Sequence, residues 1–429
     1  MASEAYLAFE QADEAAALQA AAELERSGWH VARASAELRA DENRAALIQA
    51  IAGASVFVLI ASRAAAASAA LQREVAIALN NGRAIVSVLA EDAPAESWIE
   101  STLDLTQAID LRAGPHVSAE TLARLSDAAR GARGQGRVLA MLNIKGGVGK
   151  TVLAANLFAA AHLADKRSIS FIDLDPQHNL TQYFLSPGER HRVRDRGHTL
   201  YGVLNRRGEH ALDPADFGAV AVPLNRAKEG KDKKKRPNFE LIAGDERLFE
   251  YTLDTRSDRD KAEAFMRFRA LVAALRARSD AVIIDSNPCA TFLTRLAITT
   301  ADHIIAPVRP EKYSLTGLNM LEHVVREVRG RPLRSAEFSV LLNGVNDRTR
   351  SGETGDADAI TRAEIAAAPF FSGALLPEEV PYSAVLRSTP SDRFAANPIN
   401  VTAMMRVGGR PTKESLARAA AAILRRSAP

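Results

Sequence analysis

The chain has 429 residues, 47% of them apolar, with 55 basic and 52 acidic side chains, so it reads as an ordinary globular protein with room for two or three cores. A lone cysteine, Cys289, excludes an intrachain disulfide. The longest apolar runs, such as "ASVFVLIA", fall far short of the roughly 20 residues that cross a bilayer. The opening "MASEAYLAFE" has neither the basic segment nor the apolar run of a secretory signal, and a cytoplasmic location is expected. Charge is unevenly spread. Residues 1–130 hold ten arginines, no lysine and 18 acidic residues, whereas the remainder holds 45 basic and 34 acidic ones. Such a split argues for separate modules, the second better suited to anionic partners.

In chain order, "YLAFE", "ASVFVLIA" and "RAIVSVLA" read as buried strands separated by alanine-rich amphipathic stretches such as "ADENRAALIQAIAGA". That pattern predicts a small α/β layer over residues 1–125. Within it, "LIASRAAAASAALQRE" gives a strand ending at Ser62, then Ser68 six residues before Glu74. This arrangement resembles the TIR domain family over about residues 5 to 112, and the resemblance implies a flavodoxin-like or TIR-like parallel sheet. In TIR enzymes the matching glutamate helps break the nicotinamide glycosidic bond of NAD, so Glu74 is a candidate catalytic carboxylate and NAD a candidate substrate. Ala70 stands where the family often has tryptophan, and the first strand lacks the frequent Ser-Tyr pair. Helical spacing puts Leu71, Val75 and Ala78 on one face, with Glu74 at its edge and partly shielded. The alternative is a docking platform for a protein partner or cargo.

"SDAARGARGQGR", residues 126–137, breaks a helical pattern with three glycines and reads as the joint before a second domain at 138–429. There, "RVLAMLN", "SISFIDLD", "DAVIIDS", "HIIAPV" and "FSVLLNGV" alternate with helical stretches, which predicts a parallel sheet with helices on both faces and ligands at its carboxyl edge. "RAKEGKDKKKR", at 226–236, reads as an exposed basic loop.

"RVLAMLN" runs through "IKGGVGKT" into the helical "VLAANLFAAAHLA". Strand, glycine loop and helix in that order form a phosphate cradle of backbone amides. Lys150 would reach the β- and γ-phosphates and the Thr151 hydroxyl would ligate Mg²⁺. The usual pattern wants glycine at 144, where this chain has Ile144, and it adds a second lysine, Lys145, directly before the glycine pair. With "FIDLDPQHNLT", "AVIIDSNPC", "ADHIIAPVRPEKYSLTGLNML" and "VLLNGVNDRT", the segment from about 137 to 400 resembles the ParA/MinD-type P-loop ATPases. The resemblance implies an ATP-bound homodimer in which Lys145 touches the partner's nucleotide. It implies ATP contacts from Gly146, Gly147, Val148, Gly149 and Val152 as well as the two lysines. Asp175 would orient the attacking water, Asp173 and Asp285 would support the Mg²⁺ shell, and Asn343 and Pro381 would flank adenine. Asp173 also fits the plainer role of capping the helix that follows.

Partitioning relatives bind DNA nonspecifically as dimers, and "KDKKKR", Arg348, Arg350, Arg425 and Arg426 would serve such a surface, but Glu378 and Glu379 stand where arginine is often found. The carboxyl-terminal "KESLARAAAAILRR" offers only Leu416, Ile423 and Leu424 amid alanines, too little bulky surface to anchor in a membrane.

Overall fold

The computed structural model describes residues 3–26, 29–33, 44–54, 56–80, 83–91, 98–99, 109–110, 136–205, 212, 219–224, 237–253, 256–287, 291–311, 313–330, 333–345, 357–383, 386 and 410–427. Most of the expected joint, the basic run 226–236, Arg348, Arg350 and Cys289 lie outside these. The chain divides into two compact units, Met1–Gly134 with Glu327–Pro332, and Gln135–Arg326 with Leu333–Pro429.

In the first unit, strands β1 (Ser3–Ala8), β2 (Trp29–Arg33), β3 (Val56–Ala61), β4 (Ala84–Leu89) and β5 (Ile109–Asp110) form one parallel sheet in the order β2-β1-β3-β4-β5. This is the flavodoxin-like order. Its helices are α1 (Glu14–Arg26), α2 (Arg44–Gly53), α3 (Arg63–Ala67) and α4 (Ala69–Asn80). Every residue of β3 is buried, which explains its uninterrupted apolar sequence. Helix α1 turns Ala17, Ala20, Ala21 and Leu24 into a core shared with Ala5, Leu7, Val56 and Val58. The sequence gives no warning of β2, an edge strand whose His30 and Arg33 are exposed.

The second unit holds β6 (Arg137–Met141), β7 (Ile169–Asp173), β8 (Val222–Pro223), β9 (Phe239–Ile242), β10 (Ala281–Asp285), β11 (His303–Val308), β12 (Phe338–Val345) and β13 (Val380–Pro381). Their order is β13-β12-β11-β6-β10-β7-β9-β8, parallel except for β8. Among its helices are α5 (Lys150–Asp165), α6 (Asn179–Phe184), α7 (Pro187–Asp195), α8 (Leu200–Leu204), α9 (Asp258–Arg276), α10 (Phe292–Thr300), α11 (Ser314–Arg329), α12 (Ala357–Ala367), α13 (Pro369–Ser372) and α14 (Arg410–Arg426). Strand β6 sits between β10 and β11, where the order of strand addition reverses; ligands of open parallel sheets bind at such points.

Helix α5 is buried from Leu153 to His162 because it lies between the sheet and α14. Leu416, Ala419, Ala420 and Ile423 of α14 join this core, so the sparse apolar residues of the last helix face inward. Helices α9 and α10 pack on β10 and β6. No helix among the described residues is long and apolar enough to cross a membrane.

Candidate nucleotide site

The loop after β6 delivers Lys150 as the first residue of α5, with Gly149 as its N-cap. Gly147 and Gly149 have φ of 73° and 94°, a region that residues with a Cβ enter only at a cost of about 1–2 kcal/mol. Gly149 is constrained twice. A Cβ there would lie 2.6 Å from Asn343 Nδ2, and that amide donates to the Val148 carbonyl at 2.8 Å. Gly149→Ala is therefore expected to destabilise the second unit by about 2 kcal/mol, lowering its melting transition by roughly 4–8 °C. An unchanged transition in a thermal scan would mean that the loop takes another path.

The two lysines occupy different places. Lys150 is buried, and its Nζ donates to the carbonyls of Asn143 at 3.1 Å and Lys145 at 3.4 Å. Lys145 is held at the rim: its N–H donates to Asn143 Oδ1 at 2.9 Å, and its Nζ pairs with Glu311 Oε2 at 2.6 Å, both side chains being more than a third exposed. Glu311 was not singled out by the sequence motifs. The signal available for it was its position just past the carboxyl end of β11.

Parallel register sets Asp173 of β7 directly beside Asp285 of β10, and both are completely buried. Asp173 Oδ2 accepts from the N–H and the hydroxyl of Thr181, each at 2.7 Å, so it does steady the first turn of α6. Burial pushes its pKa up to about 7; the Thr181 bonds oppose the rise and the Asp175 charge adds to it. Gly244 presses so close that a Cβ would meet the Asp173 carbonyl at 2.8 Å. Asp285 is raised well above the usual carboxylate range, first by burial and then by Asp173. Among the described residues neither of its oxygens has a hydrogen-bond partner of good geometry, although Thr151 and Lys150 lie near enough to temper the rise. Asp175 is also buried; Oδ1 accepts from Gln177 N–H at 3.0 Å and Oδ2 from Asn179 Nδ2 at 3.4 Å. His178 holds φ at 43° in the same turn.

No group of three or more His, Cys, Asp or Glu side chains among the described residues is able to hold a metal by itself. The Thr151 hydroxyl beside the buried carboxylate of Asp285 instead fits a hydrated magnesium ion that shares its shell with nucleotide phosphates. Next to the loop is a cleft of about 700 Å³, whose walls include Gly149, Val152, Glu311, Asn343, Pro381 and Tyr382. Asn343 and Pro381 thus reach one cleft with the glycine loop, but the Asn343 Nδ2 is already used on Val148.

In the first unit Glu74 is not at the edge of α4. It lies on the inward stripe with Leu71, Val75 and Ala78, is 1% exposed, and accepts from the Tyr6 hydroxyl at 3.2 Å. The spacing of 71, 74, 75 and 78 is that of a single buried face. The two serines of the pattern start helices: Ser62 Oγ accepts from Ala65 N–H and donates to Asp13, and Ser68 Oγ accepts from Leu71 N–H.

A family model described as an AAA domain matches residues 136–337, and one described as a TIR domain matches residues 6–126. The chromosome partitioning protein ParA of Caulobacter vibrioides is 32% identical over 217 residues, spanning 50% of this chain and 72% of that protein. The chain belongs to the ParA family. Another ParA-family relative, the sporulation initiation inhibitor protein Soj of Bacillus subtilis, is 29% identical over 218 residues, 51% of this chain and 76% of Soj. Apo McdA from Cyanothece superposes with a TM-score of 0.47 at 19% identity, covering 67% of this chain and 99% of McdA. The ParA-like ATPase domain is here joined to an amino-terminal TIR domain.

Proposed function

We propose that the chain is a Mg·ATP-dependent, dimerising ATPase whose nucleotide state controls its TIR module. The observation that carries this reading is the division of labour between the lysines: Lys150 sits inside the loop, while Lys145 stands at its rim with its ammonium in an exposed pair with Glu311. Exposed pairs contribute about 0–1 kcal/mol. A triphosphate brought up by a second copy offers several anionic oxygens and outcompetes one carboxylate, so Lys145 moves across to it. Dimerisation then depends on ATP, because each copy supplies the cation that offsets its neighbour's phosphate charge. Magnesium, when bound through Thr151 with Asp285 and Asp173 in support, would neutralise charge on the phosphate oxygens. Asp175, anchored by Gln177 and Asn179, orients the attacking water.

For the TIR module the geometry favours docking or effector control by contact over NAD cleavage, since Glu74 is enclosed and bonded to Tyr6. Incubating the full chain with Mg·ATP and NAD, and following phosphate and nicotinamide together, tests both halves. The expected result is phosphate release with NAD left intact. Nicotinamide release that disappears in Glu74→Ala would replace docking with an NADase effector gated by ATPase assembly, and absence of phosphate release would remove the ATPase reading. A partition-type role, with ATP-dependent and salt-sensitive retention of nonspecific DNA, is the remaining reading that the family name suggests.

A further inference from the structure

A second concavity, of about 630 Å³, opens at the carboxyl ends of β7 and β9 and is lined by His178, Arg190, His191, Arg194, Thr199 and Gly244. Two donors on its wall are left unmade. Among the described residues, Arg190 Nε is buried with no hydrogen-bond partner, and Thr199, 1% exposed, has none for its hydroxyl even though it is the N-cap residue of α8. Each such desolvated group is unfavourable until an acceptor arrives. The acids on the same wall are already spent. Glu246 Oε1 is paired with Arg194 Nη1 at 2.9 Å, and Asp245 is paired with Arg247 at 2.8 Å. The imidazoles are engaged too, His191 with Arg194 and Asp195 and His178 with the Pro176 carbonyl; what remains is the Arg190 guanidinium and the Thr199 hydroxyl, with the exposed Arg192 and Arg196 close by in the chain.

We propose that this cavity binds a phosphate group. A guanidinium matches two oxygens of an oxyanion side by side, and the Thr199 hydroxyl supplies a donor for a third oxygen, which a tetrahedral phosphate has and a carboxylate lacks. The cavity is also wired to the nucleotide site. Thr181 lines it, accepts from Gly244 N–H at 2.9 Å and donates to Asp173 at 2.7 Å, so the cavity wall is hydrogen-bonded to a carboxylate of the proposed metal shell. The phosphate belongs either to a small phosphate ester or to a nucleic-acid backbone.

The site does not rest on the ATPase reading, and the test keeps the two apart. Inorganic phosphate is titrated by calorimetry into the full chain carrying Lys150→Ala, which removes the cation of the glycine loop, and into the same chain with Arg190→Gln or Thr199→Val added. Saturable binding is expected in the first chain, weakened about tenfold or more by Arg190→Gln and reduced by Thr199→Val. No saturable binding, or equal binding in all three, overturns the proposal; if Arg190→Gln fails to fold by circular dichroism, Thr199→Val decides. A short DNA duplex and glycerol phosphate, used as competitors, then identify the source. Displacement by the duplex assigns a backbone phosphate, and displacement by glycerol phosphate alone assigns a small ester.

Discussion

Lys150→Ala is expected to lower ATP affinity by about a hundredfold or more, measured by equilibrium titration of a fluorescent ATP analogue. Lys150 is the one cation already inside the loop, and without nucleotide it satisfies its ammonium on two loop carbonyls. Exchanging those neutral acceptors for phosphate oxygens gives the ammonium anionic partners, at about 1.5–3 kcal/mol per bond, and two such bonds lost correspond to about two powers of ten or more. Alanine at 150 keeps the helix start, since the N-cap is Gly149 and not the lysine. Undiminished affinity in a folded variant would remove the glycine loop from the nucleotide site.

Asp175→Ala is expected to slow ATP hydrolysis by about 10²–10⁴-fold while changing ATP affinity little, as loss of a positioned general base does. Asp175 stands in a turn that it stabilises itself through Gln177 N–H, so the alanine variant also loosens the segment. Asp175→Asn separates the two effects. An amide oxygen still accepts from Gln177, which retains the turn, but the charge that orients water is gone. A large loss in both variants, at least as great in Asp175→Ala and seen as steady-state phosphate release at saturating ATP, is the expected result; full activity in Asp175→Asn would assign the residue a purely structural part.

Much of this architecture was legible in the sequence because parallel strands buried on both faces must be written as unbroken apolar runs. "VFVLIA", "SFIDLD" and "AVIID" announce themselves for that reason, and the charge that follows each run marks the carboxyl edge. Strands at or next to the sheet margins were not legible: β2, at an edge, is spelled "WHVAR", and β9, one strand in from the edge, contributes only "FELI". In the site, the glycine loop, Thr151 and the strand-end aspartates could be read from local spacing. Glu311, Thr181 and Gly244 could not, because each matters through a partner far along the chain: 166 residues from Lys145 to Glu311, and 63 from Thr181 to Gly244. Glu74 shows the converse limit. Helical spacing puts this carboxylate, four residues from Ala78 and three from Leu71, at the edge of the apolar face, but Tyr6 supplies a buried donor that lets it share the inner face.

The central claim is that two copies of this chain clasp two nucleotides, with Lys145 as the crossing cation. Multi-angle light scattering of the full chain with Mg²⁺ and a nonhydrolysable ATP analogue tests it most directly, run beside Lys145→Ala at matched concentration and with nucleotide occupancy checked in both. The prediction is a dimer for the parent chain and a nucleotide-bound monomer for Lys145→Ala. A parent chain that stays monomeric with the analogue bound, or a variant that dimerises as readily as the parent, would contradict it.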